Sequence, residues 1–149
     1  MTSDARPANG RPTAVLALLA ALSFLGVSAL AGGGQFLLDP SGGIIGTPTA
    51  ALAGSPFADY LVPGLVLFVV LGLYPLLVAY GLWRRRGWAW PAVLSVGVAT
   101  VVWIAVQGAI IGFGHWLQWL YLLLGLAIVA LALLPSARGF SRRPPNPRT

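Results

Sequence analysis

The chain has 149 residues, of which 58% are hydrophobic and only 8% charged, with no cysteine and a formal net charge of +6. A soluble domain carries about a quarter charged residues, so this chain cannot cover its own surface in water and reads as an integral membrane protein. The lack of Cys excludes disulfides, thiolate metal sites and redox chemistry that needs paired cysteines. All nine basic residues are Arg, and the acids are Asp4, Asp39 and Asp59 alone. Abundant Ala, Gly and Arg without Lys or Glu points to a GC-rich bacterial genome. The positive charge does not indicate nucleic-acid binding, because the arginines flank apolar runs, as the positive-inside rule requires.

Residues 1–12 are polar, contain Arg6 and Arg11, and read as a short disordered cytoplasmic tail. The first apolar run is 13–31, and nineteen residues at 1.5 Å rise give about 28 Å, just enough to span. Ala29-Leu30-Ala31 also fits a signal-peptide cleavage site, but the run is longer than an h-region, so an uncleaved helix is the better reading. Gly32-Gly33-Gly34 is expected to stop this helix.

Residues 32–60 form the longest loop, with two acids and no basic residue, which suits the extracytoplasmic side. Asp39-Pro40-Ser41-Gly42 has the residue order of a type I turn. Phe36, Leu37, Leu38, Ile44 and Ile45 are too apolar for a freely solvated loop, so the segment should fold back on the helices or lie in the interface. Ser55-Pro56 reads as a helix N-cap followed by Pro, which puts Asp59 in a first turn where the helix dipole favours an anion.

The second span is 61–82. Pro75 lies deep inside it and should kink it near Gly72. Tyr74 is deep enough to need a hydrogen-bond partner, and Tyr80 belongs to the interfacial belt. Trp83-Arg84-Arg85-Arg86-Gly87-Trp88-Ala89-Trp90 follows. Three arginines are expensive in hydrocarbon and Trp prefers the headgroup level, so Arg84, Arg85 and Arg86 fix this turn at the cytoplasmic surface.

The third span is 91–113. Thr100, Trp103 and Gln107 share one of its faces, which should point into the bundle. The simpler role for Gln107 is an interhelical hydrogen bond; the sharper one is a polar spot in a ligand site. Gly112-Phe113-Gly114-His115 makes the outer turn, and Trp116, Trp119 and Tyr121 form an aromatic belt on a fourth span, 116–134. Pro135 stops that helix, and 136–149 reads as a basic, Pro-rich, disordered cytoplasmic tail. Arginines at the N-terminus, the middle turn and the C-terminus, with none in the two loops between, give four spans with both termini in the cytoplasm. The fold class is all-α, a four-transmembrane-helix bundle with a partly structured extracytoplasmic loop, in a bacterial inner membrane.

No Asp, Glu, Lys, Arg or His lies within the spans, which argues against proton- or ion-coupled transport. No phosphate-binding loop and no nucleophile–base pair has recognisable spacing, and no cofactor is implied. His115, Asp39 and Asp59, with Gln118 and Gln35 at similar depth, share the outer side and are the only candidates for acid–base chemistry. A metal on His115 would have only the two loop acids as further ligands. The leading expectation is a non-enzymatic membrane protein that binds an apolar small molecule or lipid beneath loop 32–60, with Gln107, Trp103 and Thr100 as binding residues, or that docks on a membrane partner. The alternatives are an enzyme acting on a lipid or quinone headgroup through His115 with Asp39 or Asp59, and a carrier for a neutral solute.

Leu38-Asp39-Pro40-Ser41-Gly42, Gly46-Thr47-Pro48, Ser55-Pro56-Phe57-Ala58-Asp59-Tyr60 and Pro63-Gly64-Leu65 together resemble the outer loop of small four-helix bacterial membrane proteins of unknown function. With the downstream spans the resemblance covers residues 13 to 135, and it implies an integral membrane protein without naming an activity. In size and helix count the chain is also similar to DoxX-like proteins, with no motif in support.

Overall fold

The computed structural model describes residues 10–142, so most of the N-terminal tail and residues 143–149 of the C-terminal tail lie outside the described residues. Four long apolar helices follow one another: α1 (Thr13–Leu38), α2 (Leu61–Trp83), α3 (Ala89–Ile111) and α4 (Trp116–Leu133). A short α5 (Pro135–Arg142) ends the described chain. No strand occurs among the described residues. Each long helix is long and apolar enough to cross a membrane. Their outward faces, with Phe24, Val27, Leu65, Leu77, Val102 and Leu123, are exposed and apolar. The helices close a ring in chain order, α1 on α2 and α4, and α3 on α2 and α4.

α1 does not stop at its three glycines. It continues to Leu38, and Gly33 among them packs against the backbone of α2. A methyl group on Gly33 would lie 2.7 Å from the Phe68 nitrogen and 2.9 Å from the Gly64 oxygen, and one on Gly26 would lie 3.0 Å from the Gly72 oxygen. Reciprocally, a methyl on Gly64 would meet Phe36 and one on Gly72 would meet Leu30, at 2.6 and 2.8 Å. Lipid supplies no hydrophobic drive between helices, so close backbone approach through small residues holds α1 to α2. The α3–α4 pair has its own seam, where Gly97 and Gly125 sit against each other's carbonyl oxygens.

α2 absorbs Pro75 by widening. Pro75 has no N–H to donate and its ring crowds the preceding turn. The segment Leu67–Leu73 is wound as π-helix, and the Tyr74 amide reaches the Val69 carbonyl five residues back. The irregularity expected near Gly72 is thus a wide turn inside a continuous helix. Tyr74 finds its partner in Ser95 of α3, at 2.8 Å between hydroxyls.

Other boundaries shift. Helix α2 begins at Leu61, not at Ser55-Pro56. The Ser55 hydroxyl accepts the Phe57 amide in a local turn, and Asp59 lies just before the helix, accepting the Leu61 amide at 2.9 Å. α3 runs over Ala89–Ile111 and is closed by Gly112 at φ 79°. Pro135 stops α4 but opens α5, whose Ala137, Phe140 and Ser141 are buried, so residues 136–142 of the expected disordered tail are helical.

The three basic segments meet at one end of the bundle. The Arg11 guanidinium lies 3.5 Å from the Trp83 ring centroid, that of Arg85 4.5 Å from Phe140, and that of Arg138 5.4 Å from Trp90. α2 ends there in a Schellman motif, with Arg86 N–H on the Gly81 carbonyl and Arg85 N–H on Leu82, at 2.9 and 3.1 Å. Arg85 takes the left-handed conformation at φ 54°, where Gly is usual, at a cost of about 1–2 kcal/mol. Between this end and the bundle middle, Leu18, Leu22, Val78, Val93, Val96 and Ile128 make a filled core.

Candidate ligand cavity beneath the outer loop

At the opposite end the four helices and the loop line a partly open cavity of about 400 Å³. α1 lines it with Ser28, Ala29 and Gly32, whose small side chains leave the space open. α2 contributes Pro63, Leu67 and Leu71, the last two from the π-wound turn. From α3 come Thr100, Trp103 and Gln107, and from α4 Gln118 and Tyr121.

The loop makes the roof. Asp39 organises its first turn: the Gly42 amide donates to the Asp39 carbonyl at 3.0 Å, as the type I pattern predicts. The carboxylate accepts the Ser41 hydroxyl at 2.5 Å, the Ser41 amide at 3.1 Å and the Ile44 amide at 3.0 Å. The Ser41 hydroxyl holds the Asp39 carboxyl below the usual carboxylate range; partial desolvation opposes it, and the amides of Ile44, Ser41 and Gly43 add to it. Gly42 is required by the fold of the turn, because at φ 78° a side chain there would run into the Thr47 carbonyl.

Tyr60 pins the roof to the bundle. Its amide donates to the Pro40 carbonyl at 2.9 Å and its hydroxyl to the Pro48 carbonyl at 3.2 Å. Its ring stacks on Phe36 with centroids 4.6 Å apart. The side chain is 5% exposed, and burial pushes its phenol up. The expected fold-back of the apolar loop residues is therefore uneven. Ile45, Leu52, Phe57 and Tyr60 face the cavity, while Leu38 and Ile44 stay exposed.

The three residues singled out on α3 all line this cavity, but they differ in their bonding. Thr100 is buried and its hydroxyl donates to the Val96 carbonyl of its own helix at 2.8 Å. Neither the Gln107 amide nor the Trp103 indole N–H bonds to another helix among the described residues, where interhelical bonds run instead through Trp90 and the Tyr74–Ser95 pair. The interhelical bond expected for Gln107 is not made among the described residues. Gln107 and Trp103, four residues apart on one helix face, both line the cavity and are half-buried.

Of the outer polar residues His115 lines the cavity and Asp39 and Asp59 do not; the Asp39 carboxylate bonds within the loop and that of Asp59 accepts the Leu61 amide at the start of α2. Gln35 is exposed and lies outside the lining, whereas Gln118 belongs to it. Gln118 is 3% exposed and works as a clamp on the turn, accepting the His115 amide at 3.2 Å and donating to the Gly112 carbonyl at 2.9 Å. No group of three or more metal-ligating side chains occurs among the described residues.

Sequence reasoning placed Tyr121 in the interfacial belt and gave Ser28 and Tyr60 no place at a site. Ser28, Ala29 and Gly32 carry a signal, a run of small residues on one helix face, but that pattern equally marks a helix contact. Tyr60 carries none, because its role depends on Phe36 and Pro48, far from it in sequence. Comparison with protein-family models, with curated proteins and with solved structures found no match for this chain.

Proposed function

We propose that this protein is a non-enzymatic, multi-pass protein of a bacterial inner membrane, with both termini cytoplasmic, that holds a mostly apolar small molecule or lipid chain beneath its outer loop. The observation that carries this reading is the cavity itself. Its volume of about 400 Å³ lies within the range of small-molecule sites, and its lining is apolar apart from a few convergent polar groups. The Trp103 indole offers a donor and the Gln107 amide both a donor and an acceptor. Both side chains are half-buried and bond to no other side chain or carbonyl among the described residues, so a ligand oxygen that meets them gains specificity as well as affinity. The fitting ligand has an apolar body and one small oxygen-bearing head, such as a ketone, ether or alcohol. The resemblance of the loop to that of small four-helix bacterial membrane proteins belongs to the same proposal, as does its extracytoplasmic placement.

The test is mass spectrometry of the intact protein released from mild detergent, for wild type and Gly32→Leu. A leucine at Gly32 would project toward the cavity, where the nearest neighbouring atom to a methyl there is a Leu67 methyl at 3.5 Å. One apolar compound on the wild type and none on the variant is the expected result. Bulk lipid alone on both proteins would sink the proposal, and a stoichiometric second protein would replace it with a subunit role. A reporter fused after Thr149 and another near Gly43 check the topology, with cytoplasmic and external signals expected.

A further inference from the structure

At the arginine end, Arg11, Trp83, Arg84, Arg85, Arg86 and Gly87 border one recess. The final carbonyls of a helix repel anions and normally bind cations or water. Here all four are already taken, each by an arginine. Tyr80, Gly81 and Leu82 accept the amides of Arg84, Arg86 and Arg85, at 2.9, 2.9 and 3.1 Å. Trp83 accepts the Arg11 guanidinium at 3.3 Å. The helix end is thereby neutralised by bonds that leave the Arg84 and Arg86 guanidiniums unused. Both side chains are exposed and neither forms an ion pair or side-chain hydrogen bond among the described residues. No described acid lies near: Asp39 and Asp59 are in the loop at the far end of the bundle.

Two of the four arginines are held in place. Arg11, seventy-two residues from its partner, is fixed by the Trp83 ring and carbonyl, and Arg85 is fixed over Phe140 by its left-handed backbone. The recess is thus made by two distant chain segments and is independent of the cavity. Trp83 and Trp88, both exposed beside it, set it at headgroup depth. Guanidinium groups match phosphate oxygens in geometry, and such bonds are charge-assisted. We infer that the recess between Arg11 and Arg84–Arg86 binds one phosphate group, carried by an anionic lipid headgroup or by a soluble phosphate ester. Arg84 and Arg86 supply the direct contacts, and Arg11 shapes the wall.

The test titrates the full chain in mild detergent with phosphatidylglycerol, phosphatidylcholine or oleate, reading bound lipid by native mass spectrometry. One phosphatidylglycerol should be retained well above the other two. Arg84→Gln with Arg86→Gln should lower that retention about tenfold, the scale of one or two lost charge-assisted bonds. Arg11→Gln should lower it less. Arg138→Gln with Arg142→Gln, which removes the same two charges from the same end but outside the recess, should leave it unchanged. Equal loss with that pair, or equal retention of oleate, would mean diffuse charge attraction and overturn the inference. Adding millimolar inorganic phosphate separates the two sources: displacement of the lipid assigns the site to soluble phosphate esters, and persistence assigns it to the headgroup. Unchanged thermal unfolding of the Arg84→Gln with Arg86→Gln variant shows that the fold is kept, as expected for exposed side chains.

Discussion

Near the arginine end, Leu18, Leu22, Val78, Val93 and Ile128 meet between the helices and leave no space. Further along the same helices, the facing positions are Ser28, Ala29 and Gly32 on α1 and Trp103 and Gln107 on α3, and a cavity of about 400 Å³ separates them. Both regions use small residues, with opposite results. At Gly26 and Gly33 the neighbour is another helix's backbone or a side chain rooted beside it, so the absence of a side chain becomes contact. At Gly32 the nearest neighbour is only the end of the Leu67 side chain, 3.5 Å from where a methyl would sit, and Gly32 and Ala29 line the cavity that the loop roofs. A small residue therefore does not say whether it closes a bundle or opens it; the element opposite does.

Adjacent glycines give the sharpest way to break this comparison. Gly33→Ala should destabilise by about 1–3 kcal/mol, the usual cost of overpacking, since the methyl would press on the Phe68 and Gly64 backbones. Unfolding in detergent, followed by circular dichroism, measures it. Gly32→Leu, one residue earlier, should keep or raise stability, because Gly is a poor helix residue and the new side chain enters empty space. A comparable loss at both positions would mean that the cavity wall is as tightly packed as the seam.

A smaller effect is expected from Gln107→Leu. It removes a polar group that has no protein partner, so stability should hold within about 0.5 kcal/mol. Retention of the co-purifying compound should fall by roughly three- to tenfold, the scale of one neutral hydrogen bond. Thr100→Val is the control, as the Thr100 hydroxyl is already bonded to its own helix. If stability falls and retention does not, Gln107 holds the bundle together rather than the ligand.

The smallest expected effect is in the roof. The folded-state pKa of Asp39 is depressed, so its contribution to loop order is present above the ordinary carboxylate range and lost as pH falls through and below it. Protection of the Ser41 and Ile44 amides against hydrogen exchange, taken relative to their intrinsic rates, should fall in that acid window, and Asp39→Asn should show partial loss at neutral pH. The Gly33 seam should be indifferent to the same change.

The four helices and the grouping of arginines were legible from composition, run length and charge, because a bilayer imposes those requirements on any chain that crosses it. The Asp39 turn was legible for a similar reason, since its bonds lie within five residues. The shared face of Thr100, Trp103 and Gln107 followed from helix periodicity alone. What that face met did not. Whether Gly32-Gly33-Gly34 ends a helix or continues it depends on Phe68 and Gly64 lying against Gly33, and those come from another helix. Whether His115, Asp39 and Asp59 share a site depends on how the loop spends its acids, which sharing an outer side does not decide. Sequence determined what each segment must avoid, charge in hydrocarbon and unpaired backbone. Tertiary packing decided where space is filled and where it is left, because in lipid that depends on fit between surfaces from distant parts of the chain.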